Sequence, residues 1–241
     1  MVNVINCMSN KIYIKQPQYL PWIGLFRNII ESDILVILDD VQYAKNGFQN
    51  RNKIRTSEGE MWLTVPTKAK SNTLLRDVKI DESINWIKKH TNSILLNYSR
   101  ANYFEVNWGG IEKIFEKKYE YLIDVNIELI KFLMNELDIK TETIFSSELE
   151  ISEKGSNRIL NICKILKADE YISGINGKNY LNIDDFKQNH INVTFQNYEH
   201  PLYHQVFEPF IPKMGAIDLL FNEGDNAEKI IKMSNNLMDD K

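Results

Sequence analysis

Apolar and polar positions alternate along this chain with two different periods, and the switches between them mark out its elements. Residues 11–14 form a short strand that Pro17 ends, because its ring removes a ladder donor and restricts the residue before it. Gly24 to Glu31 carries Leu25, Ile29 and Ile30 at helical spacing, and Asp33 to Leu38 is an unbroken apolar run of the kind buried on both faces of a sheet. Together they predict a strand, loop, helix, strand unit whose strands are parallel neighbours with a right-handed crossover. Met61 to Pro66 and Arg76 to Ile80 read as further short strands around a polar loop, a surface lid or edge hairpin.

Helical spacing takes over at Ser83 to Asn97, Trp108 to Tyr121 and Leu122 to Leu137, with a break expected at Gly109-Gly110. It recurs from Ser156 to Leu166. Glu170 to Ser173 and Asn192 to Asn197 return to strand, and Ala216 to Asn222 is a last helix. The pattern predicts an α/β fold with a mostly parallel open sheet and a helical middle region. Four segments follow: a flexible leader over 1–10 with Met8 as an alternative start, an N-terminal α/β half over 11–82, helices over 83–166, and a C-terminal α/β part over 167–241 that completes one compact unit.

Composition narrows the function. With 241 residues, 43% hydrophobic and 26% charged, the chain has enough apolar material for a core without staples. A net charge of −4 argues against a nucleic-acid partner or an anionic membrane surface. Cys7 and Cys163 fit no zinc or redox spacing, no run approaches the length of a membrane span, and the N-terminus lacks a signal peptide's pattern, so a reducing cytoplasm is expected. No metal is expected.

Candidate chemistry falls into four clusters. In the first, Gly24 lets a backbone approach a ligand, the helix beside it offers free N–H groups to an anion, Tyr19 or Trp22 can stack on a ring, and Gln16 can bind hydroxyls. The competing reading is that Tyr19 and Trp22 plug the end of the sheet. The second cluster holds Asp39, Asp40, Gln42, Tyr43, Gln49, Asn50 and Arg51. Adjacent carboxylates at a strand end point to opposite faces, so one enters the site while the other braces a loop, and Arg51 can fork onto a diphosphate. An Asx-type turn neutralised by Arg51 is the alternative.

Third, Gly174, Asn176, Gly177, Lys178 and Tyr180 follow a strand and can cradle phosphate, though without the spacing and hydroxyl of a P-loop. Fourth, His200 can serve as a general base beside Tyr203, or simply fix its loop; Pro201 disfavours a zinc-binding helix. Asp218 reads as a surface or capping residue.

In order along the chain stand Q-P-Q-Y-L-P-W-I-G, L-D-D-V-Q-Y, N-R-N-K-I, W-L-T-V-P, I-S-G-x-x-G-K-x-Y-L, Y-x-H-P-x-Y and I-D-L-L-F-N-x-G, covering about residues 11 to 225. In these blocks the chain resembles the WbqC-like protein family. The resemblance lifts Asp218 above background. Its members are named largely by location in gene clusters for O-antigen and related surface polysaccharides, which implies a cytoplasmic step in sugar or glycolipid modification. A fainter likeness, to the start of adenylyltransferases, implies a Rossmann-like N-terminal half; where those enzymes carry H-x-G-H this chain has Trp22, Ile23, Gly24 and Leu25, with both histidines absent.

The expectation is a transferase acting on a nucleotide-linked amino sugar, by acyl or aminoacyl transfer, with an acyl-coenzyme A or ATP as cofactor. Asp39, Asp40 and His200 are its candidate catalytic groups, and direct attack by an amine is the simplest route because no nucleophile triad is visible. Alternatives are an ATP-dependent nucleotidyltransferase or amide ligase, and a non-catalytic binding protein of a polysaccharide assembly. The N-terminal clusters and the 174–180 loop should meet in one cleft, since the carboxyl ends of parallel strands share an edge.

Overall fold

In the computed structural model, which describes residues 10–233 and 237–239, the first unit has the predicted form. The leader expected over 1–10 lies outside the described residues except for Asn10. Strand β1 (Lys11–Lys15), helix α1 (Ile23–Ile30) and strand β2 (Ile34–Ile37) follow one another, and β1 and β2 pair in parallel. Side chains alternate as a strand requires: Ile12, Ile14 and Val36 enter one core, Tyr13, Leu35 and Ile37 the other. In α1, Ile23, Leu25, Phe26 and Ile29 are buried, while Arg27 and Glu31 form an ion pair on the outer side. Each of those apolar side chains contributes about 1.5–3 kcal/mol by leaving water.

After β2 come two antiparallel pairs, β3 (Arg51–Thr56) with β4 (Gly59–Thr64) and β5 (Thr67–Lys68) with β6 (Lys79–Ile80). Helices α2 (Trp86–Tyr98), α3 (Phe104–Glu116) and α4 (Leu122–Glu136) pack with α1 in the larger core, and strand β7 (Glu142–Phe145) then returns to the sheet. Next are α5 (Gly155–Ile165), β8 (Glu170–Gly174), α6 (Ile183–Gln188) and β9 (Asn192–Gln196); α5 and α6 cover the opposite face. The chain closes with α7 (Ala216–Glu223), α8 (Ala227–Met233) and β10 (Leu237–Asp239).

The sheet order is β10-β9-β8-β1-β2-β7, with β10 antiparallel and the other five strands parallel. Counted along the chain, those five stand in the order 5-4-1-2-3, so the direction of winding reverses between β1 and β8. Ligand crevices of open α/β sheets lie outside the carboxyl ends of the strands at such a reversal.

Three expectations are corrected. Gly109 and Gly110 do not break the helical region: α3 runs through both, and a Cβ on Gly110 would stand 2.2 Å from the Phe132 ring of α4. The glycine serves helix contact instead. Arg76 to Ile80 is not one strand but a 3-10 turn over Leu75–Asp77 followed by β6, because the amides of Leu75 and Arg76 bond to Val41 and Asp39. The segment read as purely helical, 83–166, also supplies β7 to the sheet.

Candidate functional site

A cavity of about 640 Å³ opens where the winding reverses, outside the carboxyl ends of β1, β8 and β9. From β1 it takes Lys15 and Gln16, and from the start of α1 Trp22, Gly24 and Asn28. The turn after β8 adds Gly174, Asn176, Gly177 and Tyr180, and the segment from the end of β9 adds Gln196, Asn197 and Tyr198, with Lys213 beyond. The first N-terminal cluster and the 174–180 turn, about 150 residues apart, thus share one wall, as strand ends on one edge of a sheet should; the second cluster, from Asp39 to Arg51, was expected in the same cleft and does not line it.

The local backbone explains this wall. Pro17 follows the strand end, and the chain turns through Leu20 at positive φ to Trp22, whose backbone bridges to Gly215. Any Cβ at Gly24 would fall 2.3 Å from the Trp22 indole, so the glycine lets that ring lie across the first turn of α1. Tyr198 meets the indole edge-on at 5.3 Å. Gln196 Nε2 donates to the Gly24 carbonyl at 3.0 Å, tying β9 to α1. Behind Gln16, the buried Gln49 donates to Gln16 Oε1 at 2.7 Å and itself accepts from the Ala44 amide, so Gln49 positions Gln16 rather than meeting a ligand.

The segment over Gly174–Tyr180 is a 3-10 turn, and Gly177 is required there because a Cβ would stand 2.1 Å from Ser173 Oγ. Lys178 does not line the cavity; its ammonium lies 5.0 Å from the centre of the Phe195 ring. The cations in the cavity are instead Lys15 and Lys213, neither in an ion pair among the described residues, and no carboxylate is among its lining residues.

Asn28 is 1% exposed, and its Oδ1 has no hydrogen-bond partner among the described residues. A buried polar atom without a partner costs free energy that a ligand donor would recover. Asn28, Lys15 and Lys213 were not singled out from sequence. A signal for Asn28 was present, since it sits four residues after Gly24 on the same side of α1.

Asp39 and Asp40 share the Ser146 hydroxyl but otherwise hold different partners. Asp39 is buried and braces the turn after β7: its Oδ1 accepts from Ser146 Oγ at 3.1 Å and the Ser147 amide at 3.0 Å, its Oδ2 from Ser147 Oγ at 2.6 Å. Its carboxylate is thereby committed to structure, and the catalytic role expected for it is withdrawn. Asp40 accepts from Arg158 Nη2 at 2.6 Å and from Ser146 Oγ, and faces a second cavity. Burial pushes its pKa up, but the Ser146 hydroxyl and the Arg158 guanidinium outweigh that and hold it below the usual carboxylate range.

Other predicted site residues have structural partners. Tyr19 is fully buried and bonds to His90 Nδ1 at 2.7 Å. Tyr43 is buried against Thr67, and Asn50 donates to the Val65 carbonyl. Gln42 donates to the Ser71 carbonyl at the surface, and Arg51 lies 4.4 Å over the Trp62 ring. These residues do not line the first cavity. His200 donates from Nδ1 to the Pro201 carbonyl, which favours the charged ring, but burial outweighs that bond and pushes its pKa down; it sits among Tyr198, Tyr203 and Phe210, outside both cavities.

Asp218 is not a surface residue. It is 0% exposed and accepts from Tyr98, Tyr203 and Gln205 at 2.7–2.8 Å. Burial raises its pKa, against the pull of those three donors and the Arg55 charge. This hub joins α2 and α7 to the 198–213 loop that carries Tyr198 and Lys213 to the cavity, and it accounts for Tyr203.

Among the described residues no group of three or more His, Cys, Asp or Glu side chains is placed to hold a metal ion, and no helix is long and apolar enough to cross a membrane. Residues 16–230 match the model of the WbqC-like protein family. An uncharacterized protein of Mycobacterium tuberculosis is 33% identical over 226 residues, which are 92% of this chain and 97% of that relative. No solved structure matches the chain.

Proposed function

The chain belongs to the WbqC-like protein family, and from that footing we propose that it is a cytoplasmic transferase acting on a nucleotide-linked sugar held in the first cavity. The observation that carries this reading is a carboxylate-free cavity with Lys15 and Lys213 at its wall, at the reversal point of a parallel sheet. Two ammonium groups without competing carboxylates suit a diphosphate. The amides of Gln16, Asn28, Asn176 and Asn197 suit sugar hydroxyls, each as donor and acceptor, and the Trp22, Tyr180 and Tyr198 rings suit a base or the apolar face of a sugar.

The transferred group is an acyl or aminoacyl group and the acceptor a sugar amine. As the amine attacks, the new amide bond forms while the donor's thioester or acyl-adenylate bond breaks and coenzyme A or AMP leaves; Asp40, held ionised at the neighbouring strand end, is the carboxylate assigned to take the amine proton. Adenylyl transfer receives less support, because the Trp22 indole occupies the first turn of α1 where an H-x-G-H sequence would present imidazoles to a phosphate.

The test is incubation of the protein with a panel of amino-sugar nucleotides, each with acyl-coenzyme A donors or with amino acids plus ATP, followed by mass detection. The expected outcome is nucleotide-sugar binding and a product heavier by one acyl or aminoacyl group. Binding without any product across the panel overturns the transfer, and absence of nucleotide-sugar binding overturns the reading of the cavity.

A further inference from the structure

Past the ends of β2 and β7, on the same edge of the sheet, lies a second cavity of about 760 Å³. Their linings are neighbours along the chain. Leu38 lines the first cavity and Asp40 the second, two residues and at most about 7 Å further along the chain. On the facing helix, Ile159 lines the first and its neighbour Arg158 the second.

The second cavity is built around the N-terminus of α5, eleven residues long, whose capping residue Lys154 makes no side-chain cap and whose first turn holds no acidic residue. Its first amides therefore have no side-chain acceptor of the usual capping kind, and the helix end carries partial positive charge. Arg158, only 9% exposed, reaches this cavity from within the helix. Its Nη2 is held by Asp40 and its Nη1 by the Ile151 carbonyl, which leaves a buried Nε donor without a partner among the described residues. Arg76 and Lys154, exposed and in no ion pair among those residues, complete the wall, with Glu153 as the one further carboxylate.

Packing alone accounts for the Arg158–Asp40 pair, which clamps α5 to the end of β2. It does not account for the uncapped helix end, the buried Nε and two further cations around one void. All three favour an oxyanion.

We propose that the second cavity binds the oxyanion end, a carboxylate or a phosphate, of the co-substrate, whose reacting end extends past the Leu38–Ile159 boundary toward the first-cavity ligand. This rests on the function proposed above only in naming what occupies the first cavity. Asp40 then stands between the two ligands, ionised and anchored by Arg158.

Backbone-amide NMR of the full chain tests this, with acetate and inorganic phosphate as separate probes and a uridine diphosphate sugar as the probe of the first cavity. One of the two anions is expected to shift the amides of residues 155–158 saturably, and the tighter of the two identifies the chemistry. The double variant Arg76→Gln, Lys154→Gln should weaken that binding roughly tenfold, the effect of losing charge-assisted contacts. Both side chains are exposed, so the fold should persist; Lys154→Gln alone, with an unchanged thermal melt, repeats the measurement. Nucleotide-sugar shifts over residues 174–180 should be unaffected by either variant. Absence of saturable shifts at 155–158 for both anions, or equal affinity in native and variant proteins, overturns the proposal. Loss of the nucleotide-sugar response with the 155–158 response intact overturns the function assigned to the first cavity and leaves this site standing.

Discussion

At the scale of single residues, the pair Tyr19 and His90 shows how burial fixes a protonation state. The Tyr19 hydroxyl lies 2.7 Å from His90 Nδ1, Trp86 packs edge-on against both rings, and the Thr64 backbone takes the other ring hydrogen bond. Burial pushes the His90 pKa down to about 3, well below the ordinary value near 6.5. A folded-state pKa below the unfolded one means that, between those values, the unfolded chain binds a proton that the folded chain refuses. Stability is then complete above about pH 6.5 and falls as pH drops toward 3, by about 1.4 kcal/mol per pH unit from this group. Urea unfolding from pH 7 to 4 should show this slope in the native protein and a shallower one in His90→Gln; equal slopes would place the titration elsewhere. Tyr19 was a candidate stacking residue in the sequence; in the structure it is fully buried with its hydroxyl on His90 of α2. A tyrosine on an apolar run presents the same pattern in either role, and only the partner, 71 positions away, distinguishes them.

Elements were legible where their period was carried by apolar side chains. β1, β2 and β8 announce themselves because both faces are buried in apolar cores, and β9 because Val193 and Phe195 alternate with polar neighbours. β3 does not, since its inward positions include Asn52, donating to the Leu20 carbonyl, and its buried Arg55 donates to the Pro209 carbonyl. Polar residues satisfied by distant backbone erase the alternation on which a hydropathy reading depends. β7 is an edge strand of four residues, with Glu142 exposed. Gly109 and Gly110 misled for a related reason, because sequence does not say whether a glycine ends a helix or lets a neighbour approach. Their difference is measurable. Gly109 is exposed and a Cβ there meets nothing within 4 Å, so Gly109→Ala should stabilise the protein by about 0.5–1 kcal/mol through helix propensity. Gly110→Ala gains the same propensity but drives its methyl into Phe132 and should be net destabilising, by about 1–2 kcal/mol. Denaturation midpoints of opposite shift confirm α3–α4 contact as the purpose of Gly110; equal stabilisation of both would contradict it.

On the scale of the whole molecule, charge is distributed against its average. The chain carries a net −4, yet the two cavities on the carboxyl edge hold Lys15, Lys213, Arg76, Lys154 and Arg158 against Asp40 and Glu153. Lys213 reaches the edge from a loop whose attachment is the buried Asp218 hub, so packing remote from the cavity sets the position of one of its two cations. That dependence was invisible in sequence: Asp218 and Lys213 are ordinary residues until the loop folds back. A concentration of positive potential over a concave edge should draw an anionic ligand and be screened by salt. Titration calorimetry with a uridine diphosphate sugar should therefore show affinity falling as ionic strength rises. Lys15→Gln and Lys213→Gln should each weaken binding by roughly tenfold at low salt, and the variants should show a flatter salt dependence because the charge being screened has been removed. Lys178→Ala, whose ammonium sits over Phe195 rather than in the cavity, should leave the affinity near its native value. If Lys178→Ala were the damaging change and the other two neutral, the diphosphate would have to bind on the outer side of the 174–180 turn, and the cavity at the strand reversal would lose its claim to the ligand.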